Sequence, residues 1–326
     1  MDTIRAGEII VNLALQGLGP VLQVIMSVIT ELGSQIFFFL LIPAIYWSVD
    51  ALAGLRVGCM LLLSGSLNHT LKVLFKGPRP YWISDDVTAV VHESSFGMPS
   101  GHAMNSASVF GWLAVESKKR WMTSVCLAII FLIGFSRLVL GVHFPSDVLA
   151  GWLLGGALVL AFSLLYPKVS GWVGRFSWQA QAALAFGTSL LMITLSWIAR
   201  AIPAGWSMPA DWLARAGDID PLSLDGVLTT SGLWFGMLAG FAALRHKKGI
   251  LQSGTGEGKR VLRYLVGVIG LFVLYAGLGS LFPKDAGLWS AVLRYLRYAL
   301  IGLWISYLSP LLFEKLKIGE FQKSSE

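Results

Sequence analysis

Charge is what this chain has least of. Only 13% of its 326 residues are Asp, Glu, Lys or Arg, about half the share of a soluble domain, and that excludes an ordinary water-soluble globule. Cysteine is close to absent. Cys59 and Cys126 both lie in apolar runs, which argues against a disulfide framework or a thiolate metal site. No carboxylate-rich metal site accompanies the polar residues, and neither a metal nor another cofactor is expected. The Gly-rich stretch 249–258 has no strand before it and no Gly-Lys-Ser/Thr within it. It reads as a linker rather than a phosphate loop. No repeat of roughly 20–50 residues stands out, and no stacked-aromatic or basic-helix module is visible. The net charge of +7 is therefore assigned to cytoplasmic loops, with no nucleic-acid partner.

Long apolar runs are what the chain does have. Runs suited to crossing a bilayer, at about 20 residues each, lie near 21–47, 51–75, 100–117, 121–141, 146–166, 179–201, 226–244, 261–282 and 289–313. The expected fold is all-α, a polytopic transmembrane helical bundle of about nine spans. The first span is long enough to tilt or to break near Gly33. Residues 1–19 are mildly amphipathic, lack a secretory cleavage pattern, and are expected to lie at the interface. Many of the 13 Trp, among them Trp47, Trp82, Trp121, Trp172, Trp206 and Trp289, sit at run ends, as an aromatic belt does.

Three polar clusters interrupt this background. The first is Lys72 with Lys76, Arg79 and Pro80; the second is Pro99-Ser100-Gly101-His102; the third is Ser136-Arg137, His143 and Asp147. An ionisable group at membrane depth costs about 2.5–3.5 kcal/mol even on mild scales, so such groups mark a site. The alternation of spans brings all three clusters to one side. The opposite side collects Arg56, Lys118-Lys119-Arg120, Lys168, Arg175, Arg245, Lys247, Lys248, Lys259, Arg260, Lys315 and Lys317 and should be cytoplasmic. The clusters then face periplasm or lumen, in a multi-pass protein of the plasma or inner membrane.

The residue types point to phosphoryl transfer. Lys72, Arg79 and Arg137 offer a point charge and two planar forks for a tetrahedral dianion. Ser100 and Gly101 open a helix whose backbone N–H groups and positive end favour an anion. His143 and Asp147 stand at i,i+4, so the carboxylate can take Nδ1–H and leave Nε2 free to attack phosphorus. His102, beside the cradle, is placed to protonate the leaving oxygen and then activate water. Second-rank candidates are His69, Lys76, Asn105 and His92, at the rim or behind the main groups. Asp85, Asp86 and Glu93 read as a solvated loop with His92, or else as a rim at the entrance that selects the head group; Asp211, Asp218, Asp220 and Asp225 read as a solvated outer loop, lacking the glycine and terminal Glu of a calcium loop.

Together the clusters resemble the signature of the type-2 phosphatidic acid phosphatase superfamily: K-x6-R-P at Lys72–Pro80, P-S-G-H at Pro99–His102, and S-R-x5-H-x3-D at Ser136–Asp147. The resemblance covers about residues 20–166. It implies a six-helix phosphatase core in residues 1–166, with 167–326 as additional transmembrane helices packed on it. It also implies a phosphohistidine on His143, with His102 as acid and base. The added spans, with Arg79-Pro-Tyr-Trp82, Ser100–Met104 and His143-Phe-Pro145, are similar to the glucose-6-phosphatase branch. The expected substrate is a phosphorylated amphipathic lipid, of undecaprenyl pyrophosphate or phosphatidate type, drawn from the surrounding membrane lipids. A soluble sugar phosphate is the alternative. A non-catalytic phosphate or lipid transporter or scaffold is the second alternative, and homo-oligomerisation is left open.

Overall fold

The computed structural model describes residues 3–252, 256–283, 285 and 287–322. The helices run in order α1 Thr3–Gln16, α2 Pro20–Thr30, α3 Gln35–Ala44, α4 Ala51–Phe75, α5 Pro80–Ile83, α6 Gly101–Ser117, α7 Arg120–Val139, α8 Pro145–Val173, α9 Trp178–Arg200, α10 Ala210–Ala216, α11 Asp225–Lys247, α12 Glu257–Leu281, α13 Leu288–Leu303 and α14 Ser309–Lys315. A two-residue antiparallel pairing of Ile250–Leu251 with Phe321–Gln322 is the one sheet among the described residues. Residues 253–255 of the expected linker lie outside the described residues.

Local chemistry explains the breaks. Gly19 with φ 99° and Pro20 start α2. Pro43 inside α3 is followed by a π turn at Ile45–Val49, because proline withdraws one N–H from the ladder. Asp50 Oδ1 accepts the Ala53 N–H at 2.6 Å and starts α4. Gly77-Pro78 stops it.

Among the described residues, seven helices have the length and apolarity to cross a membrane, or eight if the bent pair Ile4–Gln16 and Pro20–Gly33 counts as one. Composition alone predicts about nine. Two segments account for the difference. The first expected span is split at the 3-10 turn Glu31–Gly33, and α6 has only 17 residues.

The chain forms two compact units interleaved in sequence. The first comprises the residues up to Phe38, Ser64–Phe162 and Leu195–Leu224. Here α7 packs on α1, α2 and α6. A Cβ at Gly151 or Gly155 of α8 would run into the α6 backbone, 2.8 Å from Ser100 O and 2.7 Å from Met104 O, so these glycines allow close helix approach. Asp211, Asp218, Asp220 and Asp225 are exposed, as a solvated loop requires, but residues 201–224 also carry an apolar side that was not expected. They pack Trp206, Met208, Trp212, Ile219 and Leu222 onto a core of Tyr81, Trp82, Phe96, Leu140 and Val142. Arg215 pairs with Asp85 at 2.5 Å.

The second unit comprises Phe39–Leu63, Ser163–Thr194 and the described residues from Asp225 on. In it the Trp47 indole donates to Ile305 O at 2.9 Å and Tyr46 OH to Ser306 O at 3.2 Å, joining the π turns at 45–49 and 304–308. Trp47 and Trp82 are fully buried and are not belt residues; Trp121, Trp172 and Trp289 are exposed.

Candidate active site

All three polar clusters meet in the first unit. Lys72 comes from the last turn of α4, Arg79 from just before α5, Ser100 and His102 from the start of α6. Arg137 comes from the last turn of α7, His143 from the α7–α8 turn, and Asp147 from the first turn of α8. Lys72, Arg79, Ser100, Arg137, His143 and Asp147 are all buried. Five ionisable side chains withdrawn from solvent need partners, and they find them in one another and in the loop 84–99.

Asp147 Oδ2 lies 3.2 Å from His143 Nδ1 and accepts the Phe144 N–H at 3.1 Å. On the other edge of the ring, Arg79 Nη1 lies 3.2 Å from His143 Nε2. A guanidinium can only donate. Nε2 is therefore the acceptor, and the ring proton sits on Nδ1, facing the carboxylate. Arg79 also donates to Val142 O at 2.9 Å, Ser95 O at 2.7 Å and Phe96 O at 3.1 Å. Lys72 Nζ donates to Phe96 O as well. The Ser100 N–H donates to Asp147 O at 3.0 Å, which ties the second cluster directly to the third. Ser100 Oγ caps α6 through the Ala103 N–H. A Cβ on Gly101 would lie 3.1 Å from Asn68 Oδ1. The glycine makes room for that amide, which in turn donates to Pro99 O.

His143 lies in the turn outside the spanning helices. Burial, then the charges of Arg79, Lys72, Arg137 and His102, push its pKa well below the ordinary histidine value. The half-buried His102 ring makes no hydrogen bond among the described residues. It lies against Gly33, where a Cβ would come within 3.1 Å of its Cδ2.

The second-rank candidates are engaged elsewhere. Lys76 donates to Arg200 O at 3.2 Å and to Ile202 O, with its ammonium over Trp206. His69 bonds the Ser223 backbone. Asn105 accepts from Ser64 Oγ at 2.7 Å. His92 is exposed and stands edge-on to Tyr81.

Two sets of residues were not expected from the sequence. Glu93, read there as part of a solvated loop, forms an ion pair with Arg137 Nη2 and lies 3.9 Å from Arg79 Nη2. Burial would raise its pKa, but Arg79 and Arg137 outweigh it and hold the carboxyl at about 2. The second set is on α1, which packs on α7. The fully buried Asn12 amide donates to Leu138 O at 2.9 Å and His143 O at 3.1 Å. Glu8 accepts the Ser146 N–H at 2.6 Å at the start of α8. Gln16 donates to Thr88 O at 2.7 Å. These three residues recur at i, i+4 and i+8, one helical face, and that spacing is legible in the sequence.

A lysine, two arginines and a carboxylate-paired histidine are thus gathered among apolar helices long enough to cross a membrane. The PAP2 superfamily profile matches residues 53–170, and a profile described as "PAP2 superfamily phosphatase, transmembrane extension" matches 228–322. Phosphatidylglycerophosphatase B of Bacillus subtilis is 37% identical over 152 residues, covering 42% of this chain and 71% of its own. Human glucose-6-phosphatase 3 is 30% identical over 246 residues, covering 66% of this chain and 68% of its own. The crystal structure of a transmembrane PAP2 type phosphatidylglycerolphosphate phosphatase from Bacillus subtilis aligns over 52% of this chain and 89% of its own, with 29% identity and a TM-score of 0.45. The chain belongs to the PAP2 superfamily and is a polytopic membrane phosphatase.

Proposed function

We propose that this phosphatase hydrolyses the phosphate or pyrophosphate of an amphipathic lipid through a covalent phosphohistidine, without a metal ion. The reading rests on one observation above all: an unprotonated His143 Nε2, held between Asp147 and Arg79. In this scheme Arg79, Lys72 and Arg137 hold the phosphate oxygens, with Ser100 and Gly101 at the start of α6. His143 Nε2 attacks phosphorus, and the P–O bond to the lipid breaks. His102 gives its proton to the leaving oxygen, and Asp147 steadies the positive ring. Water then attacks the phosphohistidine while His102 takes its proton, and phosphate leaves. The similarity to phosphatidylglycerophosphatase B over 152 residues supports a lipid substrate. The lysine- and arginine-rich opposite side supports a site facing periplasm or lumen.

A second reading, a soluble sugar phosphate, is favoured by the similarity to glucose-6-phosphatase 3, which runs well beyond the core. Phosphate release by purified protein separates the two. The panel is undecaprenyl pyrophosphate, phosphatidate, phosphatidylglycerol phosphate, sphingosine 1-phosphate and glucose 6-phosphate. Turnover confined to lipid substrates supports the first reading, and turnover of glucose 6-phosphate alone overturns it. Undiminished turnover in EDTA is expected; strict dependence on Mg²⁺ would remove the metal-free scheme. No phosphate release from any substrate would leave the non-catalytic transporter or scaffold.

A further inference from the structure

Arg137 has binding capacity left unfilled in the site. Its Nη1 donates to Thr30 Oγ1 at 2.8 Å. Its Nη2 is taken by Glu93 Oε1. Its Nε is buried with no hydrogen-bond partner. Nε and Nη2 form the side-on edge of the guanidinium, the edge that grips two oxygens of a carboxylate or phosphate at once. Glu93 therefore fills one half of a two-oxygen seat and leaves the other half empty. It also sits 3.9 Å from Arg79 Nη2, so its charge lies between two of the three cations assigned to phosphate.

We propose that Glu93 is an internal competitor for the phosphate seat, a positioning residue that substrate must displace and that returns to help expel inorganic phosphate. This rests on the phosphatase reading above. The geometry makes the exchange local. The Glu93 backbone is pinned, its N–H and carbonyl both 3.3 Å from the Tyr81 hydroxyl. Its side chain is 25% exposed. A change of side-chain rotamer alone moves the carboxylate to solvent, without unfolding the loop. Once it has moved, Nη2 joins the idle Nε, and Arg137 presents its whole fork to the dianion. When the product lacks the binding energy of the lipid tail, the tethered carboxylate competes for the same donors. Affinity for phosphate is thus held down to keep turnover open, since tight product binding slows release.

The test uses purified full-length protein, with orthovanadate and inorganic phosphate as probes of the seat. Glu93→Gln keeps the size and removes the charge. The variant should therefore bind vanadate and phosphate about tenfold more tightly, lower KM and lower kcat together, and show stronger product inhibition. Glu93→Asp, which keeps the charge, should show the smaller change. Glu93→Ser repeats the measurement if the glutamine variant is unstable. A purely structural Glu93 gives unchanged or weaker vanadate binding in both neutral variants, which overturns the inference while leaving the wild-type phosphatase reading intact. Wild-type protein that neither releases phosphate nor binds vanadate overturns both.

Discussion

Arg79 Nη1 lies 3.2 Å from His143 Nε2, on the opposite edge of the ring from Asp147. The residue assigned to hold phosphate is thus also the one that fixes which ring nitrogen is unprotonated. Every donor of Arg79 points at a protein acceptor. In the proposed scheme phosphate therefore exchanges partners with these acceptors.

Replacing His143 by Ala or Asp147 by Asn should leave expression intact and cut phosphate release by about a hundredfold or more. The asparagine can present its NH₂ to Nδ1, favouring the wrong tautomer. Full activity in purified His143→Ala would falsify the covalent scheme.

Arg79→Lys keeps the charge but loses the fork. A lysine cannot serve Ser95 O, Val142 O, Phe96 O and His143 Nε2 together. Measured kcat/KM should fall by about a hundredfold, with no rescue at higher pH. A variant within threefold of wild type would show that the fork is dispensable.

The pH profile follows from the downward shift of His143. A lowered pKa means the free enzyme keeps this ring neutral, and nucleophilic, below the ordinary value of about 6.5. The acid limb of kcat/KM, which reports free-enzyme groups, should lie below pH 6.5. Glu93, held at about 2, stays ionised throughout and adds no limb of its own. The stability sign is the same for both groups. Each has a depressed folded pKa, so stability is lost as pH falls from the unfolded value toward the folded one. For Glu93 that window runs from about 4.5 down to about 2. An acid limb above pH 7 would contradict the neutral nucleophile.

Asn12→Ala should lower stability by about 1–3 kcal/mol, because it strips a donor from two carbonyls, Leu138 O and His143 O. It should also lower kcat, because the turn carrying His143 loses its tether. Thermal unfolding and phosphate release on the same preparation check both. Normal values for each would make the α1 contact incidental.

The His143–Asp147 pair was legible in the sequence because i,i+4 spacing is a local rule, and the convergence of clusters was legible because alternating spans carry them to one side. Glu93 was not legible. An acidic residue in a polar loop looks solvated, and its meeting with Arg137 depends on a contact between residues 44 positions apart. The packing of Trp206, Met208, Trp212, Ile219 and Leu222 on Tyr81 and Trp82 was hidden for the same reason. Gly97 is a third case. A Cβ there would stand 2.5 Å from Pro78 O and 3.0 Å from Asp147 Oδ2, a crowding no local pattern announces. The α1 stripe of Glu8, Asn12 and Gln16 was legible in its spacing but not in its target.

The PAP2 match begins at residue 53, yet the amide that anchors the turn carrying His143 belongs to residue 12. A minimal enzyme trimmed to the matched segment would keep every signature residue and still lose the brace behind the His143 imidazole.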